Sequence, residues 1–424
     1  MNQQYYPQLN ENLYSCRLKN GLQVQVVPRP GFSRKLAYFV TDFGSIHRQF
    51  MLEGEKIQVP AGIAHFLEHK MFELPERDVS AEFAALGANV NAFTSYDMTA
   101  YYFSCTENFS ENLRLLLEFV STPYFTQESV RREIGIIDQE IGMNADSPER
   151  VFENLMQAMY SNHPIAVPIL GSRDSIRQIT PELLETCHRA FYTPANMILC
   201  VVGDVDPQQV AQIAEEVLGD EEKPAGIKLR PWQEEMTCQK DTVSMQMEVA
   251  MPNFQLGFKC ESVGLGEEAI RQEIIGDLAA EALFGESSAL YLQLYEQGLI
   301  DSSFGGGFET VDGCALLTCG GDSNDAVAVR DAILNRAQEL VASGIEDCQL
   351  LRMKRSALGR RIRDLDSFDS TCFRLCAYKL SDFDYFCFPG VYADVTAAQV
   401  LEFLRKVVKK ERCALSVIEP RRQA

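Results

Sequence analysis

Near the middle of the chain the sequence changes character. From about residue 219 to 242 the stretch that opens GDEEKPAGIKLRPWQEEMTCQK carries charges of both signs, Pro and Gly, and no apolar period. Such a segment cannot be a packed strand or helix and reads as a connection. Before it, Leu22–Val27 and Lys35–Val40 alternate as strands. A helix is expected from about Gly62 to Phe72 and another from about Ser80 to Leu86. The strand-like Thr99–Ser104 comes next, then helical patterns at Ser110–Ser121 and Thr126–Met143, the buried strand Met197–Val202 and helix Pro207–Leu218. After the connection the order partly repeats: strands at Ser244–Ala250 and Phe254–Lys259, helices at Glu267–Phe284, Ser288–Gln297 and Asp325–Ser343, and a closing strand near Ala414–Ile418. The expected fold is therefore α+β in two homologous halves, each a mostly antiparallel sheet with helices packed on it. The expected division is 1–220, a linker at 221–243, and 244–424.

The bulk properties narrow the function. Asp and Glu number 60 against 39 Lys and Arg, a net charge of −21, which repels nucleic-acid phosphates. No apolar run reaches the roughly 18–20 residues of a membrane span. The N-terminus MNQQYYPQLNENLYSC lacks a basic region and an apolar core, so no secretory signal is expected. Thirteen scattered cysteines, none in C-x-x-C spacing, suit reduced thiols in a cytoplasmic protein.

One motif carries chemistry. In His65-Phe-Leu-Glu68-His69 the helical period puts both imidazoles and the glutamate on one face. Two histidines at i and i+4 can hold one tetrahedral zinc ion, and the glutamate beside the open position can act as general base. A third protein ligand is needed. The other histidines (His47, His163 and His188) lie outside acid-rich helical stretches. The helix around Glu128–Ile141 offers Glu133 and Glu140, seven residues apart on one face, and the residues themselves do not choose between them.

With these residues in view, the sequence resembles the pitrilysin/insulinase family of inverted-zincin metallopeptidases over most of its length. The marks are Phe43-Gly-Ser-Ile, Gly62-Ile-Ala-His65-Phe-Leu-Glu68-His69-Lys-Met-Phe, Asn91-Ala-Phe-Thr-Ser, Glu133 with Glu140, and His163-Pro164 followed by Gly171. The resemblance implies one zinc ion per chain held by His65, His69 and Glu140, with Glu68 as catalytic base. Glu133 would sit behind a ligand histidine and orient it. Asn91, Ala92 and Phe93 would form a sheet edge that pairs with the substrate backbone. The family encloses a chamber between paired units, and its shorter members work as dimers.

One departure bears on partners. Many members carry an Arg and a Tyr, seven apart, in the half without the zinc motif. Here Leu294-Tyr-Glu-Gln-Gly-Leu-Ile-Asp301 is one residue shorter, with Tyr295 at the Arg position and Asp301 near the Tyr position. The expected function is a zinc metalloendopeptidase acting on short or unfolded peptides. It would be the catalytic subunit of a heterodimer whose paralogous partner supplies the Arg/Tyr pair, with a homodimer as the other arrangement. A non-catalytic scaffold of the same fold is the alternative, and a purely structural zinc is a third reading.

Overall fold

The computed structural model describes residues 1–421. Two sheets organise the chain. In the first, the strands run in the order Asn2–Tyr6, Glu11–Arg17, Gln23–Pro28, Met197–Gly203, Lys35–Thr41, Thr99–Cys105 and Ala88–Thr94. In the second, the order is Thr242–Met247, Cys413–Pro420, Asn253–Cys260, Cys314–Asp322 and Gly305–Val311. Leaving out the N-terminal hairpin, both sheets share one topology: first, last, second, fourth and third strand in chain order. In each, the first and last strands are parallel and the remaining pairs antiparallel. The fold is thus the α+β pair of related halves that the sequence order implies. The hairpin Asn2–Tyr6/Glu11–Arg17 extends the first sheet beyond the expected strands.

The first sheet obeys its period of two. Val24, Val26, Ala37, Phe39, Tyr101, Phe103, Leu199 and Val201 point to one face and are fully buried. There they join Phe66 and Leu67 of helix Ile63–Met71, Leu113 and Leu116 of helix Phe109–Ser121, and Val210 and Ile213 of helix Pro207–Leu218. At roughly 2 kcal/mol per buried large apolar side chain, this face supplies most of what orders the unit.

The compact units do not follow contiguous halves. One comprises Met1–Ile141, Pro168–Arg230 and Ile362–Cys387; the other comprises Gly142–Val167, Pro231–Arg361 and the chain from Phe388. This differs from the expected division at 1–220 and 244–424, and packing supplies the reason. Helix Phe368–Leu380 buries Cys372, Leu375 and Cys376, spaced i, i+3, i+4, and Cys372 Sγ reaches the Cys200 carbonyl of the first sheet at 3.8 Å. Helix Arg150–Met159 lies instead on the second sheet. A Cβ on Gly257 would come 2.6 Å from Met159 Sδ, so the helix can approach only because that strand position has no side chain. Within the expected linker, Ile227–Lys228 forms a short strand against Phe50 and Met51.

A buried histidine makes stability pH-dependent. His188 stacks on Tyr192 with ring centroids 4.9 Å apart, and its Nε2 lies 3.1 Å from the Val120 carbonyl near the end of helix Phe109–Ser121. A neutral ring donates Nε2–H there and satisfies a carbonyl left over at the helix end. Burial lowers its pKa to about 4. An unfolded histidine protonates near 6.5, so between pH ~6.5 and ~4 only the unfolded state takes up this proton, and folding loses stability as pH falls through that window. The loss attributable to His188 should approach about 3 kcal/mol at the acid end. Urea titrations at stepped pH should show a shallower acid slope for His188→Gln; equal slopes would refute this account.

Candidate metal centre

The motif helix Ile63–Met71 starts abruptly at Gly62, whose φ is 90°. An added Cβ would lie 2.5 Å from the Leu170 carbonyl oxygen, so Gly62 is required both for its left-handed turn and for the close approach of that loop. The helix is buried over nearly its whole surface. Phe66 and Leu67 anchor it in the core, which leaves His65, Glu68 and Lys70 buried as polar groups that need partners.

Those partners come from helix Gln127–Ala145, from Thr94 and from Glu73. His65 Nε2 lies 3.6 Å from Glu140 Oε1, and His69 Nε2 lies 3.7 Å from Glu140 Oε2. One ligand atom from each of His65, His69 and Glu140 falls within 4.8 Å of the other two. Tetrahedral zinc with donors at about 2.0–2.1 Å separates them by roughly 3.3 Å. The observed spacings suit three donors around one ion better than direct hydrogen bonds. The Glu140 side chain is 40% exposed, so the triad has an open side.

Glu133 has a different position. Its Oε1 lies 3.0 Å from His69 Nδ1, so the neutral imidazole donates Nδ1–H to the carboxylate and presents its Nε2 lone pair toward Glu140. Glu133 Oε2 lies 4.0 Å from Lys70 Nζ, and Lys70, fully buried, is also paired with Glu73. The structure thus brings together His65, Glu68, His69, Glu133 and Glu140, and separates the two glutamates that the sequence alone leaves undecided.

Electrostatics favour a cation here. Burial lowers the His65 pKa to about 3, helped by the neighbouring His69. Burial also pulls His69 down, but its bond to Glu133 and the charges of Glu133, Glu68 and Glu140 outweigh this and raise it. Glu68 is pushed up by burial, against the opposing pull of its Thr94 bond and His69. Three carboxylates facing two imidazoles and one lysine carry excess negative charge, and the donor set of two imidazole nitrogens and a carboxylate fits zinc.

Asn91, Ala92 and Phe93 lie on the edge strand Ala88–Thr94, paired on one side with Tyr102, Tyr101 and Ala100. Among the described residues no strand pairs with the other side. Asn91 Oδ1 accepts from the Ala92 N–H at 2.8 Å. Phe93 sits 6.0 Å, centroid to centroid, from Phe373 of helix Phe368–Leu380. Sequence reasoning assigned no role to two residues at the centre: Lys70, and Thr94, whose hydroxyl donates to Glu68 Oε2 at 2.6 Å. Thr94 lies in the quoted Asn91-Ala-Phe-Thr-Ser stretch, but nothing in that stretch marks its partner.

The remaining histidines have other contacts. His47 Nδ1 accepts from the Gly44 N–H at 2.9 Å, and His163 Nε2 lies 3.0 Å from the Asp312 carbonyl. In the second unit, Tyr295 is exposed and stacks on Tyr291, while the Asp301 carboxylate accepts from the Ser303 N–H and hydroxyl.

Comparison with known proteins identifies the family. Residues 55–173 match the family described as Insulinase (Peptidase family M16), and residues 178–357 match the Peptidase M16 inactive domain. The chain is 37% identical over 426 residues to a Bacillus subtilis (strain 168) protein described as "Uncharacterized zinc protease YmfH", covering 98% of each. Its fold is similar to that of an M16-like peptidase from Alicyclobacillus acidocaldarius, with a TM-score of 0.92 and 33% identity over 97% of this chain and 98% of that one. A peptidase M16 inactive domain from Pseudomonas fluorescens shares the fold at a TM-score of 0.77 and 17% identity, covering 96% and 98% of the respective chains. The chain belongs to the pitrilysin/insulinase (M16) family of peptidases.

Proposed function

We propose that this chain is the zinc-bearing subunit of a metalloendopeptidase that hydrolyses short or unfolded peptides. The observation that carries the reading is the convergence of His65, His69 and Glu140 with Glu68 beside them. In this reading His65, His69 and Glu140 hold one zinc ion, and Glu133 fixes the His69 ring. When bound, zinc supplies Lewis acidity that polarises a scissile carbonyl and acidifies water. Glu68 takes the proton from the attacking water and delivers it to the departing amine. Its buried carboxylate, pushed up in pKa, suits a group that must both accept and return a proton. The outer edge of Ala88–Thr94 receives an extended peptide by main-chain pairing, which requires Asn91 to release the Ala92 N–H.

The catalytic set on this chain stops short of the Arg/Tyr pair, because Tyr295 and Asp301 stand near those positions. A paralogous partner supplying that pair therefore completes the enzyme in this reading. None of the thirteen cysteines is in a disulfide among the described residues, which supports a reducing, cytoplasmic setting. No helix among the described residues is long and apolar enough to cross a membrane.

The test is metal removal and return. Cleavage of an unstructured peptide should vanish on chelation, recover with one equivalent of zinc, and rise strongly when the candidate paralogue is added. Full-rate cleavage by the chain alone would remove the partner from the reading. No cleavage by either preparation would favour the scaffold.

A further inference from the structure

We propose that Thr94 is a positioning residue that aims the Glu68 carboxylate, and that it does so from the strand on which the substrate docks. This deepens the hydrolytic reading above and rests on it. Thr94 Oγ1 donates to Glu68 Oε2 at 2.6 Å, at the short end of the range for O–H···O bonds. Glu68 is buried, and a glutamate side chain has several rotatable bonds. One oxygen fixed by a hydroxyl leaves the other in a defined direction.

The hydroxyl is itself held in place. Thr94 is the last residue of Ala88–Thr94 and stands directly opposite Thr99 in the neighbouring strand. The Thr99 hydroxyl lies 2.8 Å from the Phe43 carbonyl and 3.4 Å from Thr94 Oγ1. A hydroxyl has one proton, and the shorter bond to the carbonyl takes it. The Thr94 proton goes to Glu68 Oε2, 2.6 Å away, and not to Thr99 Oγ1 at 3.4 Å. Beyond Thr94 the chain turns tightly, with the Ser95 N–H on the Met98 carbonyl at 2.8 Å and the Ser95 hydroxyl 2.8 Å from an Asp97 carboxylate oxygen. Both the backbone and the β-branched side chain of Thr94 are thus constrained.

The consequence is geometric. Ala92 and Phe93, where a peptide would pair, lie two residues and one residue before Thr94 on the same strand. Base and substrate are registered against one short piece of backbone, so a peptide docked there meets a carboxylate already pointed. Preorganisation of this kind acts on the chemical step more than on binding.

The experiment compares Thr94→Val, which keeps the shape and removes the hydroxyl, with Thr94→Ser, which keeps the hydroxyl. Both are assayed with zinc and the partner. Thr94→Val should lose about 10–100-fold in kcat, the range typical of groups that orient a catalytic residue, with KM within about twofold and zinc content unchanged. Thr94→Ser should recover most of that loss. Crystal structures of the two zinc-loaded variants give a readout independent of turnover: the Glu68 carboxylate should rotate in Thr94→Val and stay in Thr94→Ser. Undiminished kcat in Thr94→Val, equal impairment of both variants, or an unmoved Glu68 in Thr94→Val overturns the assignment. If the wild type cleaves nothing, the hydrolytic reading falls, and the two crystal structures still decide whether Thr94 orients Glu68.

Discussion

Glu68→Gln is expected to lower peptide hydrolysis by about 10²–10⁴-fold while zinc stays at one ion per chain, the scale on which general acid–base groups act. The substitution is nearly isosteric. Its amide oxygen can still accept the Thr94 hydroxyl that now sits 2.6 Å from Oε2. It also removes a carboxylate whose ionised form burial disfavours, so the fold should be as stable as the wild type or slightly more so. The three residues that converge as a donor set do not include Glu68, hence the expected retention of metal. The measurement is kcat/KM beside metal analysis on the same preparation. Hydrolysis equal to the wild type would remove Glu68 as the base.

The second large effect separates the two glutamates of one helix. Glu140→Gln should cost most of the zinc affinity, because it replaces an anionic donor that faces both Nε2 atoms at 3.6 and 3.7 Å with a poor neutral one. Glu133→Gln should cost only about 10–100-fold, since it weakens the bond that orients His69 and leaves all three donors in place. Competition against a chromogenic chelator gives both affinities. The reverse ranking would mean that the metal lies on the Nδ1 side of His69, and the geometry of the centre would have to be redrawn.

That ranking shows where the sequence stops being informative. The motif helix was legible because the i, i+3, i+4 spacing of His65, Glu68 and His69 is a local property, as is the glycine that starts the helix. Glu133 and Glu140 were both legible as candidates, being two turns apart on one face. What decides between them is how far helix Gln127–Ala145 is shifted along its axis relative to the motif helix. That shift is set by how Val130 and Ile137, with Ile134 and Ile141 beside the glutamates, pack into a core built from distant segments. Thr94 was hidden for a similar reason: its partner depends on the register of the edge strand and on the height of that strand above the helix. Helix Phe368–Leu380 carries an apolar stripe of its own, but a stripe does not say which of two sheets it covers.

The placement of that helix has a consequence for how the protein is made. Every residue of the donor triad, and every strand of the sheet that supports it, has been synthesised by Gly203. The helix that packs on Cys200 ends at Leu380, far later in translation. At about 5–20 residues per second the interval is on the order of ten seconds. During it, a growing chain holds His65, His69 and Glu140 but lacks the element that packs on Cys200. A gene fragment encoding the first half alone would be caught permanently at that stage. The packing around Cys200 is thus completed only after the ribosome has passed Leu380.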